Sequence, residues 1–256
     1  TILIKQGIGP CWQYINGNFL LTLMLGILTS LVSLSHIISS LLNHHPLLLW
    51  SFFFGLIAAS SVYIAKQISQ WNFVVIVAVL IGLITAYTIG ELKPSEMSVQ
   101  LPIVFVSGAI AICAMILPGI SGSFILVLLG MYGHILNAVK SFDLLTLMSF
   151  AGGCGVGLLC FSHLLSWLFS RFHNVTLAVL TGFLVGSLNL VWPWKHTTRF
   201  YQNSSGVSLA LENENVLPGA FRQLAAADPN TFFCICMMIM GFAVVILLEK
   251  FGKRAF

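Results

Sequence analysis

Charged side chains are what this sequence has least of. Only 7% of its 256 residues are Asp, Glu, Lys or Arg, while 58% are hydrophobic, and the mean hydropathy is +1.00. A water-soluble globule needs a far more charged surface, so that class is excluded. No basic run exceeds Lys253-Arg254, and the formal charge of +4 is spread over loops, which excludes a nucleic-acid partner. No apolar segment has the short core and small-residue cleavage site of a secretory signal. The six cysteines (Cys11, Cys113, Cys154, Cys160, Cys234 and Cys236) have no zinc spacing and lie mostly inside apolar runs. Histidines at metal-ligand spacing and an Arg-rich phosphatase cluster are also missing, so no metal, cofactor or catalytic group is expected, and an enzyme is not.

What is present is long apolar sequence. Six segments, 19–42, 46–66, 73–90, 144–168, 175–192 and 231–248, read as full spans near the ~20 residues that a bilayer requires. A seventh, 102–139, is apolar but interrupted, with room for two half-helices or two short spans. The expected class is an all-α polytopic membrane protein, with a polar loop over 193–229. The Lys/Arg split across the membrane is 6 to 5 and the basic C-terminal tail favours a cytoplasmic end.

The chain also repeats itself. Leu20-Leu21-Thr22-Leu23-Met24 recurs as Leu144-Leu145-Thr146-Leu147-Met148, at an offset of 124. Ser35-His36-Ile37-Ile38-Ser39 recurs as Ser162-His163-Leu164-Leu165-Ser166, and Gly55 and Ser60 match Gly182 and Ser187, both at 127. The change of offset implies three inserted residues around Gly152-Gly153-Cys154. Run backwards, the register aligns Thr1-Ile2-Leu3-Ile4 and Gly7 with Phe124-Ile125-Leu126-Val127 and Gly130. The chain is therefore expected to be truncated at its amino end, just after a first broken hairpin. Repeat 1 then covers 1–101 with three spans, and repeat 2 covers 102–256 with the broken hairpin 102–139 and three more. An odd number of crossings between hairpins inverts the halves, a recurring transporter design with its site where broken helices meet.

The interruption is Leu117-Pro118-Gly119-Ile120-Ser121-Gly122-Ser123. Irregular backbone at membrane depth survives only where protein or a wet cavity surrounds it. Pro118 lacks an N–H and ends the incoming helix; Gly119 and Gly122 let a ligand approach the main chain. Ser121 and Ser123 are suited to cap a helix starting near Phe124, whose first amides and dipole would favour an anion. No acidic residue lies between Pro102 and Val139 to oppose one. A merely kinked, packed helix is the alternative. His36 and His163 hold equivalent repeat positions and could meet a phosphate or relay protons; the plainer reading is a neutral histidine bonded near a helix end. Lys195, closing Trp192-Pro193-Trp194-Lys195, reads as a snorkelling cation in an aromatic belt or as a guide for an anionic lipid.

Ala111-Ile112-Cys113-Ala114-Met115-Ile116-Leu117-Pro118-Gly119-Ile120-Ser121-Gly122-Ser123, followed by Leu129-Gly130-Met131-Tyr132, resembles the second signature of the bacterial polyprenyl-phosphate transporter family (PopT-like). Phe161-Ser162-His163-Leu164-Leu165-Ser166 and Leu190-Val191-Trp192-Pro193-Trp194-Lys195 fit the same pattern. The resemblance covers the chain apart from the amino-terminal hairpin. It implies a flippase for undecaprenyl phosphate or a similar polyprenyl phosphate in the bacterial cytoplasmic membrane. Pro118, Gly119, Ile120, Ser121, Gly122 and Ser123 would cradle the phosphate, His36, His163 and Lys195 would assist, and a proton or sodium ion could be coupled. An ion-coupled carrier of a small soluble anion remains an alternative, with an intramembrane lipid phosphatase or a non-transporting assembly partner behind it.

Overall fold

The computed structural model describes residues 16–92, 100–202, 208–225 and 227–255. They form α1 (Gly17–His44), α2 (Pro46–Lys66), α3 (Phe73–Glu91), α4 (Leu101–Ile116), α5 (Gly122–Leu128), α6 (Tyr132–Ser141), α7 (Leu144–Arg171), α8 (His173–Ser187), β1 (Lys195–Gln202), β2 (Ser208–Asn215), α9 (Pro218–Leu224) and α10 (Thr231–Ala255). Two compact units divide between Leu49 and Trp50; the first contains α1 and the second everything from α3 onward. Among the described residues five helices (α1, α2, α3, α7 and α10) are long and apolar enough to cross a membrane, and α5 with α6 forms a pair bent by 107°. The chain is an all-α polytopic membrane protein; among the described residues β1 and β2 add one antiparallel pair.

The second unit is held by helices that approach to backbone contact. On α3 and α8, a Cβ built on Gly82 would overlap the carbonyl of Val179, and one on Gly182 would overlap that of Val79. On α2 and α10 the same reciprocity recurs: Gly55 faces the carbonyl of Met238, and Gly241 that of Phe52. In all four cases the carbonyl belongs to the residue three before the partner glycine. Without a hydrophobic drive between helices in lipid, such small-residue crossings supply dispersion and Cα–H···O contact in its place.

Pairing directions define the path. Ser69 donates to Asn174 Oδ1 near the start of α3 and α8, Gly82 meets Gly182 midway, and Gly90 meets Leu190 near their ends; these two helices run parallel. So do α4 and α7: Ser149 Oγ donates to Leu101 O at 2.9 Å, Gly153 lies on Phe105 and Gly157 on Ala109. The intervening α5 turns back along α4, packing Leu126 and Met131 on Val104 and Ala111. Segment 101–143 therefore enters and leaves at one end of the bundle as a re-entrant hairpin. Gly130, at φ +69°, opens the second bend, and Asp143 caps α7 by accepting from the Thr146 amide and hydroxyl. Those bonds hold the Asp143 carboxyl below its usual range.

Three expectations change. The inserted triplet near Gly152-Gly153-Cys154 has no place, because α1 and α7 are both unbroken helices of 28 residues. Their ends, and the start of α2 and α8, differ by 127 throughout. His45 and Phe172, between the helices, share nearly the same backbone angles (φ −139°, ψ 55° and φ −133°, ψ 48°), and each amide bonds four residues back at 2.7 Å. The match at 124 departs from that separation by three residues. Segment 175–192 is not a full span: α8 stops at Ser187 after 15 residues, about 22 Å against a core of about 30 Å. Tight turns from Leu188, Asn189 and Leu190 to carbonyls three residues back end it. The loop 193–229 is also more ordered than its polarity suggests, because it carries β1, β2 and α9. The alignment of Thr1 to Gly7 lies outside the described residues.

Replacing Gly182 or Gly55 with Leu should lower the melting temperature of the detergent-solubilised protein, since overpacking costs about 1–3 kcal/mol or more. Gly133→Ala, where a Cβ meets open space, should leave it unchanged or raise it, in line with a stability gain of up to about 1 kcal/mol. Differential scanning of the three purified variants checks both.

Candidate functional site

The break at 117–121 forms for local reasons. Leu117, ahead of Pro118, is extended (φ −73°, ψ 128°), as the proline ring demands. Gly119 then takes φ +90°, a conformation that side chains resist. A Cβ there would stand 2.6 Å from Ser187 Oγ and 3.2 Å from Phe183 O, so the tip of the hairpin rests on the end of α8. Ile120 fastens it from the other side, buried in a cluster with Ala86, Ala114, Ile125, Leu128 and Phe183. Gly122 sits against the Ala111 carbonyl, which an added Cβ would reach at 2.7 Å.

Two interrupted helices thus meet, α4 ending at Ile116 and α8 at Ser187. The start of α5 is different from the expected cap. Ser121 is the N-cap residue but makes no side-chain bond to the helix, and the helix opens at Gly122 rather than near Phe124. Its first i→i−4 bond is Ile125 N to Ser121 O at 3.1 Å, which leaves the amides of Gly122, Ser123 and Phe124 ahead of that ladder. The Ser121 and Ser123 hydroxyls bond each other at 2.8 Å, and both residues are exposed. A pair of adjacent hydroxyls that cap nothing can turn outward to an anion at the cost of one shared bond.

The other expected site residues are His163, His36 and Lys195. His163 is exposed on α7, and among the described residues no hydrogen bond joins it to the break. The backbone of His36 belongs to α1, but its side chain lies outside the described residues. Lys195 is turned inward: Nζ donates to Leu190 O at 2.7 Å. Burial pulls its pKa down and the charge of Glu91 pushes it back up. Glu91 accepts from Asn189 Nδ2 at 2.9 Å, and Asn215 Nδ2 donates to the Asn189 carbonyl at 2.9 Å. Trp192 Nε1 reaches Val216 O and Trp194 Nε1 reaches Pro229 O, each at 2.9 Å. Lys195 therefore clasps the unwound end of α8 to the extramembrane hairpin. Ser187 and Phe183, which floor the break, escaped sequence reasoning as site residues, although Ser187 was already conspicuous as the repeat mate of Ser60. Groups of three or more His, Cys, Asp or Glu fit to hold a metal ion are absent among the described residues.

A family model described as undecaprenyl phosphate translocase-like matches residues 1–209. The chain belongs to the undecaprenyl phosphate translocase-like family. A polyprenyl-phosphate transporter from Vibrio cholerae serotype O1 is 46% identical over 249 residues, covering 97% of this chain and 81% of that protein. Another polyprenyl-phosphate transporter, from Staphylococcus aureus, is 32% identical over 197 residues, covering 69% of each. No solved structure matches. In this member of the translocase-like family, the Pro118 to Ser123 turn lies inside the matched region.

Gly119→Ala should destabilise the protein through both φ and the contact with Ser187. Ser187→Gly on that background should recover only the contact part, and a double-mutant cycle of melting temperatures measures the split. The Lys195 pKa is lowered on folding, so between the folded value and the ordinary 10.5 the unfolded chain binds more protons. Wild-type stability should therefore rise with pH across that interval relative to Lys195→Gln, as paired thermal melts would show.

Proposed function

We propose that this protein moves a polyprenyl phosphate, undecaprenyl phosphate or a near relative, between the leaflets of the bacterial cytoplasmic membrane. The observation that carries the reading is the re-entrant break with its outward hydroxyl pair, in a chain whose relatives are named polyprenyl-phosphate transporters. A phosphate monoester carries one to two charges, and taking an ion into hydrocarbon unaided costs tens of kcal/mol by Born reasoning. The task is transport rather than bond cleavage. The protein receives the headgroup at Pro118, Gly119, Ile120, Ser121, Gly122 and Ser123, where amides and hydroxyls replace water, while the prenyl tail stays in lipid.

Movement of the headgroup from one face to the other falls to two inverted halves, 1–101 and 102–256, rocking about the site. The paired glycine crossings of α2 with α10 and α3 with α8 support this division, because they give each half one helix of each crossing. His36 and His163 act, in this reading, on the headgroup or on a coupled proton; a sodium ion is the other coupling candidate. Lys195 serves as a clasp more than as a headgroup ligand, since its ammonium is already bonded to Leu190 O.

The test is translocation of fluorescent polyprenyl phosphate in proteoliposomes. Wild type should accelerate it, and Ser121→Ala with Ser123→Ala should lower the rate about tenfold, the equivalent of roughly 1.4 kcal/mol. A full rate in the double variant overturns the cradle, and no rate in the wild type overturns the transport reading. Competition by short-chain prenyl phosphate but not by inorganic phosphate separates a lipid substrate from a soluble anion.

A further inference from the structure

α6 is the limb of the broken hairpin that the phosphate cradle does not use. Its 10 residues make it about 15 Å long, against a hydrocarbon core of about 30 Å, and it leaves α5 at 107°. Since α5 packs back along α4, and α4 runs with the spanning helix α7, α6 lies across the bundle rather than along it. Its level is fixed as well. Ile135 packs on the cluster of Val104 and Met131, beside Ile103 and Phe150. Those contacts come from the first turn of α4 and the second turn of α7, so α6 sits at the end of the bundle where both helices begin.

Three stripes divide its surface, each with the i, i+4, i+7 spacing that places residues on one helix face. Met131, Ile135 and Ala138 turn inward, the first and last buried and Ile135 half-buried. Tyr132, Leu136 and Val139 form an apolar stripe that is 44%, 42% and 51% exposed. Gly133, Asn137 and Lys140 form a polar stripe, exposed too. Each stripe is rotated by about 100° from the one before. A helix surrounded by water has no use for the second stripe, and a limb deep in hydrocarbon could not carry the charge of the third. One side meets protein, one suits lipid and one suits water.

We propose that α6 lies flat in the membrane interface, with Tyr132, Leu136 and Val139 in the outer acyl region and Asn137 and Lys140 at the headgroups. The outgoing limb of the hairpin is then a surface anchor and not a half-span. Three features favour bilayer lipid over a second copy of the chain. The exposed apolar residues that follow directly, Leu144, Leu145 and Met148, open the α7 span and need lipid themselves. Lys140 is the one Asp, Glu, Lys or Arg of α6 and suits a phosphate layer, while the nearby Asp143 carboxylate is engaged by Thr146. And a stripe of three side chains falls far short of the about 800 Å² per partner that a stable dimer buries. Tyr132 has the amphipathic ring favoured at that depth. The inference concerns attachment to the membrane and holds for any substrate.

Spin-label collision measurements on the full chain in phosphatidylethanolamine–phosphatidylglycerol vesicles test it. A spin-labelled amino acid, introduced by codon suppression so that the native cysteines stay, replaces Tyr132, Gly133, Leu136, Asn137, Val139 or Lys140, one at a time. All six are exposed, so the label is accommodated without repacking. Oxygen reaches the label through acyl chains and a nickel chelate reaches it through water. The oxygen-to-nickel collision ratio should be about fivefold or more higher at Tyr132, Leu136 and Val139 than at Gly133, Asn137 and Lys140. A label at Met148 of α7 gives the lipid-facing reference. Nickel-dominated collisions at all six positions, as for a loop in water, would overturn the proposal. So would oxygen-dominated collisions at all six, as for a limb inside the core. Loss of both at Tyr132, Leu136 and Val139 would overturn it too, because a second copy or another protein then covers the stripe.

Discussion

Hydrocarbon offers a peptide group no hydrogen-bond partner, and everything in this fold answers that constraint. Where the helices run unbroken, the backbone satisfies itself and adhesion must come from elsewhere. It comes from glycine: α2 meets α10 and α3 meets α8 so closely that a single methyl group at Gly55, Gly82, Gly182 or Gly241 would overlap a carbonyl. With lipid on the outside as apolar as any side chain, contact area between backbones is what distinguishes the folded bundle from separated helices.

Where the helices break, the same constraint marks the place of interest. α4 stops at a proline and α8 stops after 15 residues, and the two ends are set against each other through Gly119 and Ser187. Their loose amides and carbonyls are shielded by the Ala86, Ile120 and Phe183 cluster on one side. On the other, Ser121 and Ser123 are left exposed, and among the described residues their hydroxyls bond each other. Behind this turn, Lys195, Asn189, Asn215 and Glu91 tie the frayed end of α8 to the extramembrane hairpin. The turn is thereby placed on a floor anchored to the β1–β2 hairpin.

A good deal of this was legible beforehand. The interruption at Pro118 to Ser123 and the span boundaries of α2 and α3 follow from residue chemistry and spacing, because proline and glycine act on their own backbone. Reading failed where the deciding partner was distant. Segment 175–192 is apolar enough to span, yet α8 ends early because Asn189 is captured by Glu91 and Asn215, residues from two other elements. Lys195 looked like a cation reaching for headgroups, and it is bent back to Leu190 O instead. The serines suited to capping α5 bond each other.

Sequence alone determined the solvent this chain lives in, five of its long apolar helices and the point at which the 102–139 segment must break. Each of those rests on local properties: transfer energy per residue, helix length and the missing amide of proline. Tertiary structure alone decided that the tip of the hairpin in segment 101–143 rests on Ser187. It alone decided, too, that α1 and α7 have equal lengths and end in turns of nearly the same backbone angles. Those outcomes depend on which faces pair and in which direction, and a glycine in a sequence does not say whose carbonyl it will touch.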